Sequence, residues 1–377
     1  MTKVSEIYRL DSGCGPLPVH AYCDQSIYQI EQDLIFAKEP RYVGCDKITQ
    51  NVGDYFSLQG EGNGRILVRS ENGVNLLSNV CRHRQAIMLQ GKGNVQNIVC
   101  PLHQWTYEKD GRLIGSPFFN STPCRNLQVF DLQNWNGLLF DANSRSVANS
   151  LRSIAPDVMN KIDMSSYVFD RIEFMECKYN WKTFIDFYLE DYHIAPFHPG
   201  LSNFVNCSSL EWMLDDWYSV QTVGFKDNFY ARAPGDSNVY SAWKTAISEY
   251  YGRDLPDCAA MWVYIYPNVM IEWYPMVLVI STITPSGPER TLNQIEFYHP
   301  EDIMTFDTHF IDGARAGASA YLETAIEDDE IGMRMQQGRE VLKKRSTNDA
   351  GPYQSPLEDG MEHFHALYRK QLGEIIL

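Results

Sequence analysis

The chain has 377 residues, 44% of them apolar and 13% aromatic, which is a folded composition long enough for two or three domains. Its 32 basic and 48 acidic residues give a formal charge of −16. That balance excludes a nucleic-acid binder in the ordinary sense, because phosphate recognition needs clustered positive charge.

Residues 1–10 carry Lys3, Glu6 and Arg9 and no apolar core, so no signal peptide is read and a cytoplasmic location is expected. A helix is expected at about 26–36. Between about 40 and 149, short apolar runs at 55–58, 65–68, 74–77, 97–99 and 137–140 alternate with Gly- and Asn-rich turns, the spacing of an all-β domain. The small, polar stretch 142–153 reads as a linker. Beyond it, amphipathic helices are expected at 181–192, 241–251 and 316–344, with strands filling 261–299. The most apolar stretch, 261–283, is interrupted by Pro267, Asn268, Glu272 and Pro275, which fits two short strands and no membrane span. The expected fold is α+β: an N-terminal segment 1–40 packed on the catalytic part, a small β domain 41–150, and a catalytic domain 151–377 with an antiparallel sheet against helices.

Two constellations carry chemistry. The first is Cys81-Arg82-His83, then sixteen residues, then Cys100-Pro101-Leu102-His103. Thiolates and imidazoles in such loops can hold zinc, or a [2Fe–2S] cluster with two Cys on one iron and two His on the other. A zinc finger usually pairs Cys with Cys and His with His. Here each loop supplies one of each, so each loop can reach both irons. Nine Cys with no export signal favour metal ligation over a disulfide scaffold.

The second lies at 180–198. Trp181, Phe184, Ile185, Tyr188 and Leu189 recur at helical spacing, and Asp186, Glu190 and His193 share one face of the expected helix, which Pro196 then ends. His193, His198 and a carboxylate would make a two-His, one-carboxylate iron site. On the helix 316–344, Asp328 falls within an apolar stripe where a lone carboxylate needs a cation. Asp329 lies at the edge of the same stripe, and periodicity does not choose between the two.

Taken together these motifs resemble the Rieske non-haem iron oxygenases, α (catalytic) subunits, over essentially the whole chain. The resemblance rests on Cys81-x-His83, Cys100-Pro101-Leu102-His103, Asn180-Trp181-Lys182…Glu190-x-x-His193-x-x-x-x-His198, and Glu327-Asp328 ahead of Gln336-Gln337-Gly338. It implies that Asp328 is the third ligand of a mononuclear Fe(II), and that Asp186 is none. It also implies that Glu190 links His193 to a cluster His of a neighbouring chain in a homotrimer, and that the catalytic domain is helix-grip-like. Two positions depart from the family pattern, Gln85 and Gln104, where Gly is frequent.

The implied reaction is O2-dependent hydroxylation, dihydroxylation or oxidative demethylation of a small organic substrate, either an aromatic compound or a quaternary amine. The chain has no dinucleotide fingerprint, so NAD(P)H electrons would arrive through a separate flavin reductase or ferredoxin. Between Ser78 and Gly115, five basic residues (Arg82, Arg84, Lys92, Lys109, Arg112) face two acidic ones (Glu108, Asp110), a patch suited to an acidic redox partner. Trp262, Tyr264 and Tyr266 alternate along an expected strand and would present an aromatic face to substrate. Competing expectations are an electron carrier without oxygenase chemistry and a zinc-stabilised binding module.

Overall fold

The computed structural model of the protein describes residues 15–141, 145–227 and 229–372. Residues 1–10, and 142–144 of the expected linker, lie outside the described residues. The chain divides into two compact units: Glu39–Ser153, and Met1–Lys38 together with Ile154–Leu377.

Among the described residues the smaller unit is all β. Strands β1 (Tyr42–Cys45), β2 (Asp54–Ser57), β3 (Arg65–Ser70), β4 (Gly73–Ser78), β5 (Lys92–Asn94), β6 (Ile98–Val99), β7 (Thr106–Tyr107), β8 (Leu113–Gly115), β9 (Val129–Phe130), β10 (Leu132–Trp135) and β11 (Leu138–Asp141) form three antiparallel sheets. The central sheet has the order β5-β2-β3-β4-β9. Its apolar face, with Ile66, Val68 and Leu77, packs on the β6-β7-β8 sheet through Ile98, Trp105 and Tyr107. Cys81 and Cys100 belong to this same core. The stretch read as a linker contains a short helix, Val147–Ser150, because Ser146 caps it by accepting from the Asn149 amide.

The larger unit is built on a seven-stranded antiparallel sheet. Its strands are β12 (Tyr167–Cys177), β13 (Val205–Leu214), β14 (Tyr218–Phe225), β15 (Ala260–Ile265), β16 (Val269–Tyr274), β17 (Val277–Gly287) and β18 (Arg290–Pro300), in the order β12-β18-β17-β16-β15-β14-β13. Its helices include α1 (Gln25–Glu31), α2 (Trp181–Tyr188), α3 (Asn238–Tyr251), α4 (Ile311–Lys344) and α5 (Asp359–Leu372). The stretch 261–283 holds three strands, not two; β15 and β16 are buried at every position, which is why their sequence reads as a continuous apolar run.

Helix α4 crosses α3 closely at Gly317, where a Cβ would stand 2.7 Å from Trp243 Nε1. Helix α2 is tied to its surroundings by buried ions. Lys182 pairs with Glu31 of α1, both fully buried, and Glu31 also accepts from Trp181 Nε1 at 2.8 Å and Tyr368 Oη at 2.6 Å. Asp186 meets Arg339 Nη2 of α4 at 2.7 Å and His365 of α5 at 2.9 Å. It is therefore a structural anchor, in keeping with its exclusion as a ligand. Burial pushes the Asp186 carboxyl up, but His365 and Arg339 outweigh it and hold it below the ordinary carboxylate range.

Helix α2 stops at Tyr188, four residues short of the expected end. Glu190 takes the amides of Tyr192 and His193 with one carboxylate oxygen, and Asp191 donates its own amide to Leu357. The Glu190 side chain and the Leu357 carbonyl thus capture backbone donors that the helix would have used. Pro196 does not end α2. It sits in a separate single turn, Ile194–Phe197, where the missing N–H has no intrahelical partner to lose.

Candidate metal centres and active-site cavity

In the smaller unit the two Cys-His loops are built alike. Cys81 N donates to Ala86 O at 2.9 Å and Cys100 N to Trp105 O at 2.8 Å. Gln85 N returns to Cys81 O at 3.1 Å and Gln104 N to Cys100 O at 3.0 Å. Gln85 and Gln104 close these turns at φ 56° and 58°, the left-handed region that explains why Gly is frequent at these places in the family. Both thiols are buried, and His83 and His103 stand with ring centroids 4.7 Å apart. The His83 ring stacks on Trp105 at 4.8 Å and 5°, and its Nδ1 is buried with no hydrogen-bond partner. Tyr107 Oη accepts from Arg82 N at 3.2 Å and lies 3.7 Å from Cys81 Sγ. Burial pushes the Cys100 thiol up, so a bound cation is what would make it a thiolate.

These residues, two buried thiols and two imidazoles on paired loops, have the donor chemistry of a [2Fe–2S] cluster with two Cys on one iron and two His on the other.

In the larger unit His198 Nε2 lies 2.9 Å and His193 Nε2 3.5 Å from Asp328 Oδ1. His198 Nε2 and Asp328 Oδ1 are both buried. One ligand atom from each of His193, His198 and Asp328 lies within 4.8 Å of the others, close enough to share one ion. Each imidazole is held from behind by a carboxylate: His193 Nδ1 by Glu190 Oε1 at 2.5 Å, His198 Nδ1 by Glu327 Oε2 at 2.7 Å. That fixes the Nδ1–H tautomer and leaves Nε2 for a metal. Burial pulls both imidazoles down, but the carboxylates outweigh it; His198 is raised and His193 is pushed up to about 10. Asp329 turns instead toward Tyr179 and Cys177.

The three residues line a partly enclosed cavity of about 80 Å3. Its walls are Phe184, Tyr188, Trp243, Trp262, Tyr274 and Tyr321 among others, with the acids Glu190, Asp191 and Glu272 and, among the described residues, no Lys or Arg. Of the expected aromatic face only Trp262 reaches it. Tyr264 and Tyr266 pack on Phe364 of α5, farther along the sheet, since strand alternation fixes the face but not the depth. Sequence reasoning passed over Glu327 and Glu272. Glu272 is buried, accepts from Tyr274 Oη at 2.7 Å and Tyr321 Oη at 2.9 Å, and burial pushes its carboxyl up to about 7. Its signal was the charge inside an otherwise apolar run.

The basic patch contracts in the structure. Arg112 Nε pairs with Asp110 at 2.8 Å, and Lys109 is half-buried, donating to Gln96 O at 3.3 Å and pairing with Glu71 at 3.5 Å. Arg82 and Arg84, flanking His83, are exposed.

The sequence matches the description "Ring hydroxylating alpha subunit (catalytic domain)" over residues 161–374 and "Rieske [2Fe-2S] domain" over residues 43–131. The chain belongs to the Rieske non-haem iron oxygenases, α subunits, and is an oxidoreductase that uses a Rieske [2Fe–2S] cluster and mononuclear iron. It is 51% identical to the putrescine 2-hydroxylase of Ralstonia nicotianae, over 98% of this chain and 99% of that one. With the putrescine 2-hydroxylase of Bordetella bronchiseptica it shares 47% identity, over 99% of this chain and 88% of that one. The fold is that of a quaternary ammonium Rieske monooxygenase crystallised with an inhibitor, at a TM-score of 0.75 and 19% identity over 94% of each chain. Among the described residues no helix is long and apolar enough to cross a membrane.

Proposed function

We propose that this oxygenase monohydroxylates a small aliphatic amine, with 1,4-diaminobutane (putrescine) as the substrate to test first. The observation that carries the reading is the cavity. Its floor is a two-His, one-carboxylate set, and its walls are aromatic and acidic with, among the described residues, no Lys or Arg. Such walls favour a cation and disfavour a substrate carboxylate. The two relatives named as putrescine hydroxylases supply the particular amine. The quaternary amine and the aromatic compound expected from the sequence become comparison substrates.

In this reading Cys81 and Cys100 hold one iron of the cluster, His83 and His103 the other, and His193, His198 and Asp328 hold the mononuclear iron. When bound, the cluster delivers single electrons and the ferrous ion activates dioxygen. The chain's own residues do the rest. Glu190 and Glu327 hold the two imidazoles in one tautomer, and Trp105 fixes the plane of His83. Phe184, Tyr188 and Trp243 exclude water from the reacting carbon. The overall balance is one C–H bond, dioxygen, two electrons and two protons giving one C–OH and one water.

The electrons come from a separate NAD(P)H-dependent flavin reductase or ferredoxin, docking near exposed Arg82 and Arg84. The working assembly is a homotrimer in which Glu190 connects His193 to a cluster His of the next chain. Aerobic turnover under isotopically labelled dioxygen, with a chemical or enzymatic reductant, tests the reading. An amino alcohol carrying one labelled oxygen supports it. Consumption of oxygen with no hydroxylated amine, while naphthalene or a quaternary amine is oxidised, refutes it.

A further inference from the structure

Glu272 and Asp191 are buried acids of the cavity outside the His-His-Asp set, each 3% exposed and neither in an ion pair among the described residues. Three other buried acids of this unit do have cationic partners: Glu31 has Lys182, Asp186 has Arg339 and His365, and Asp236 has Lys244 at 3.0 Å. Asp191 accepts from the Gln221 side-chain amide, whereas Glu272 is held by two phenols. An isolated buried carboxylate is costly, and its sheet position in β16 would accept an apolar residue like its neighbours Ile271 and Trp273. Its surroundings are also organised around it. Tyr274 Oη donates to one carboxylate oxygen and accepts from Trp262 Nε1 at 2.7 Å; Tyr321 Oη donates to the other at 2.9 Å and sits 2.9 Å from Ser281 Oγ.

Both phenol protons are therefore committed to Glu272, and neither remains to bind a substrate anion. A carboxylate has about four lone-pair sites and the phenols use two, so acceptor capacity is left over in a cavity walled by aromatic rings. Spare carboxylate acceptors plus π faces, beside the unpartnered Tyr188 hydroxyl, which can also accept, suit an N–H-bearing cation.

Resting on the amine-hydroxylase reading above, we propose that Glu272, braced by Tyr274 and Tyr321, receives the terminal ammonium of the substrate and thereby sets which carbon is hydroxylated. Anchoring at one end makes the position of attack a fixed number of bonds from the held nitrogen. Chain length beyond that carbon then matters little to position. A primary ammonium can donate to the carboxylate, whereas a quaternary one offers only its charge, so primary amines are preferred.

The test uses the full-length, iron-loaded protein and calorimetric binding under anaerobic conditions, together with product analysis. The ligands are 1,4-diaminobutane, 1,5-diaminopentane, butylamine and the neutral isostere 1,4-butanediol. For Glu272→Gln, affinity for butylamine and both diamines is expected to fall about 10- to 100-fold, the worth of one charge-assisted hydrogen bond, while butanediol binding is unchanged or tighter. Tyr321→Phe, which keeps the ring and the carboxylate, is expected to weaken amine binding by less than about tenfold. In the wild type the two diamines are hydroxylated at the same number of carbons from one nitrogen.

Equal losses for amine and diol in Glu272→Gln would make the residue merely structural and overturn the proposal. So would retained amine selectivity in that variant while the wild type still hydroxylates the diamine, an outcome that leaves the amine-hydroxylase reading intact. Glu272-dependent amine binding without hydroxylation would sustain the ammonium contact alone and remove both the reading and the positional claim that rests on it. No amine binding by the wild type would end both.

Discussion

Glu327 is the sharpest lever on the iron site that does not touch the ion. Its Oε2 lies 2.7 Å from His198 Nδ1; the His198 side chain is 1% exposed and that of Glu327 32%. In Glu327→Ala the imidazole loses the bond that selects its tautomer. Outer-shell losses of this kind lower metal affinity about 10- to 100-fold, or about 1.4–2.8 kcal/mol. Glu327→Gln keeps an oxygen acceptor at the same reach and removes only the charge, so its loss should lie at or below the lower bound. The assay is anaerobic Fe(II) titration against a chromogenic chelator, with cluster absorbance in the same sample as an internal standard. The expected order of affinity is wild type, then Gln, then Ala, at constant cluster content. An Ala variant within about twofold of wild type would show that Asp328 and packing alone orient His198.

Four further outcomes follow from the same coordinates. Asp186→Asn should destabilise the protein by about 3–5 kcal/mol in urea unfolding, because it takes the carboxylate from buried His365 and from Arg339, which lies half-buried over Tyr22. The Asp186 carboxyl is held below its ordinary value, so its contribution is full above about pH 4 and disappears as pH falls through the folded value; the variant should show a correspondingly flatter loss of stability in acid. Glu31→Gln should cost a similar amount, and adding Lys182→Met should recover part of it, since the double variant removes both fully buried charges; strictly additive losses would deny the pairing. With ammonium substrates kcat/KM should rise with pH through a limb near 7 as Glu272 ionises, and the limb should vanish in Glu272→Gln. At φ 56°, Gln85→Gly should keep the cluster and change stability by no more than about 1 kcal/mol, whereas a β-branched Val there should lower cluster content.

Much of the metal chemistry was legible because ligation needs particular side chains at particular separations, and those survive in one dimension. Cys81, His83, Cys100, His103, His193 and His198 could be named without coordinates. Periodicity left Asp328 and Asp329 open and the family resemblance implied Asp328; one residue along a helix turns the side chain by about 100°, and in the fold Asp329 ends beside Tyr179. The end of α2 was misjudged because periodicity continues through Leu189, while the competition of Glu190 for backbone amides is a local event that no apolar pattern records. Glu272 was visible only as an interruption of an apolar run. What made it chemistry was the convergence of Tyr274 and Tyr321, which lie 47 residues apart in sequence. Tyr264 and Tyr266 failed as pocket residues for the complementary reason: depth along a strand depends on which helix covers it, here α5 through Phe364.

The measurement that bears most directly on the two-centre account is iron and labile-sulfide quantification, read with the EPR spectrum of the reduced protein, for wild type, Cys81→Ala and Asp328→Ala. The account requires two irons and two sulfides with a Rieske-type signal, plus one separate ferrous iron, in the wild type. Asp328→Ala should lose the single iron and keep the cluster, and Cys81→Ala should do the reverse. Zinc in place of iron, or an Asp328→Ala protein that retains its full iron complement, would contradict it.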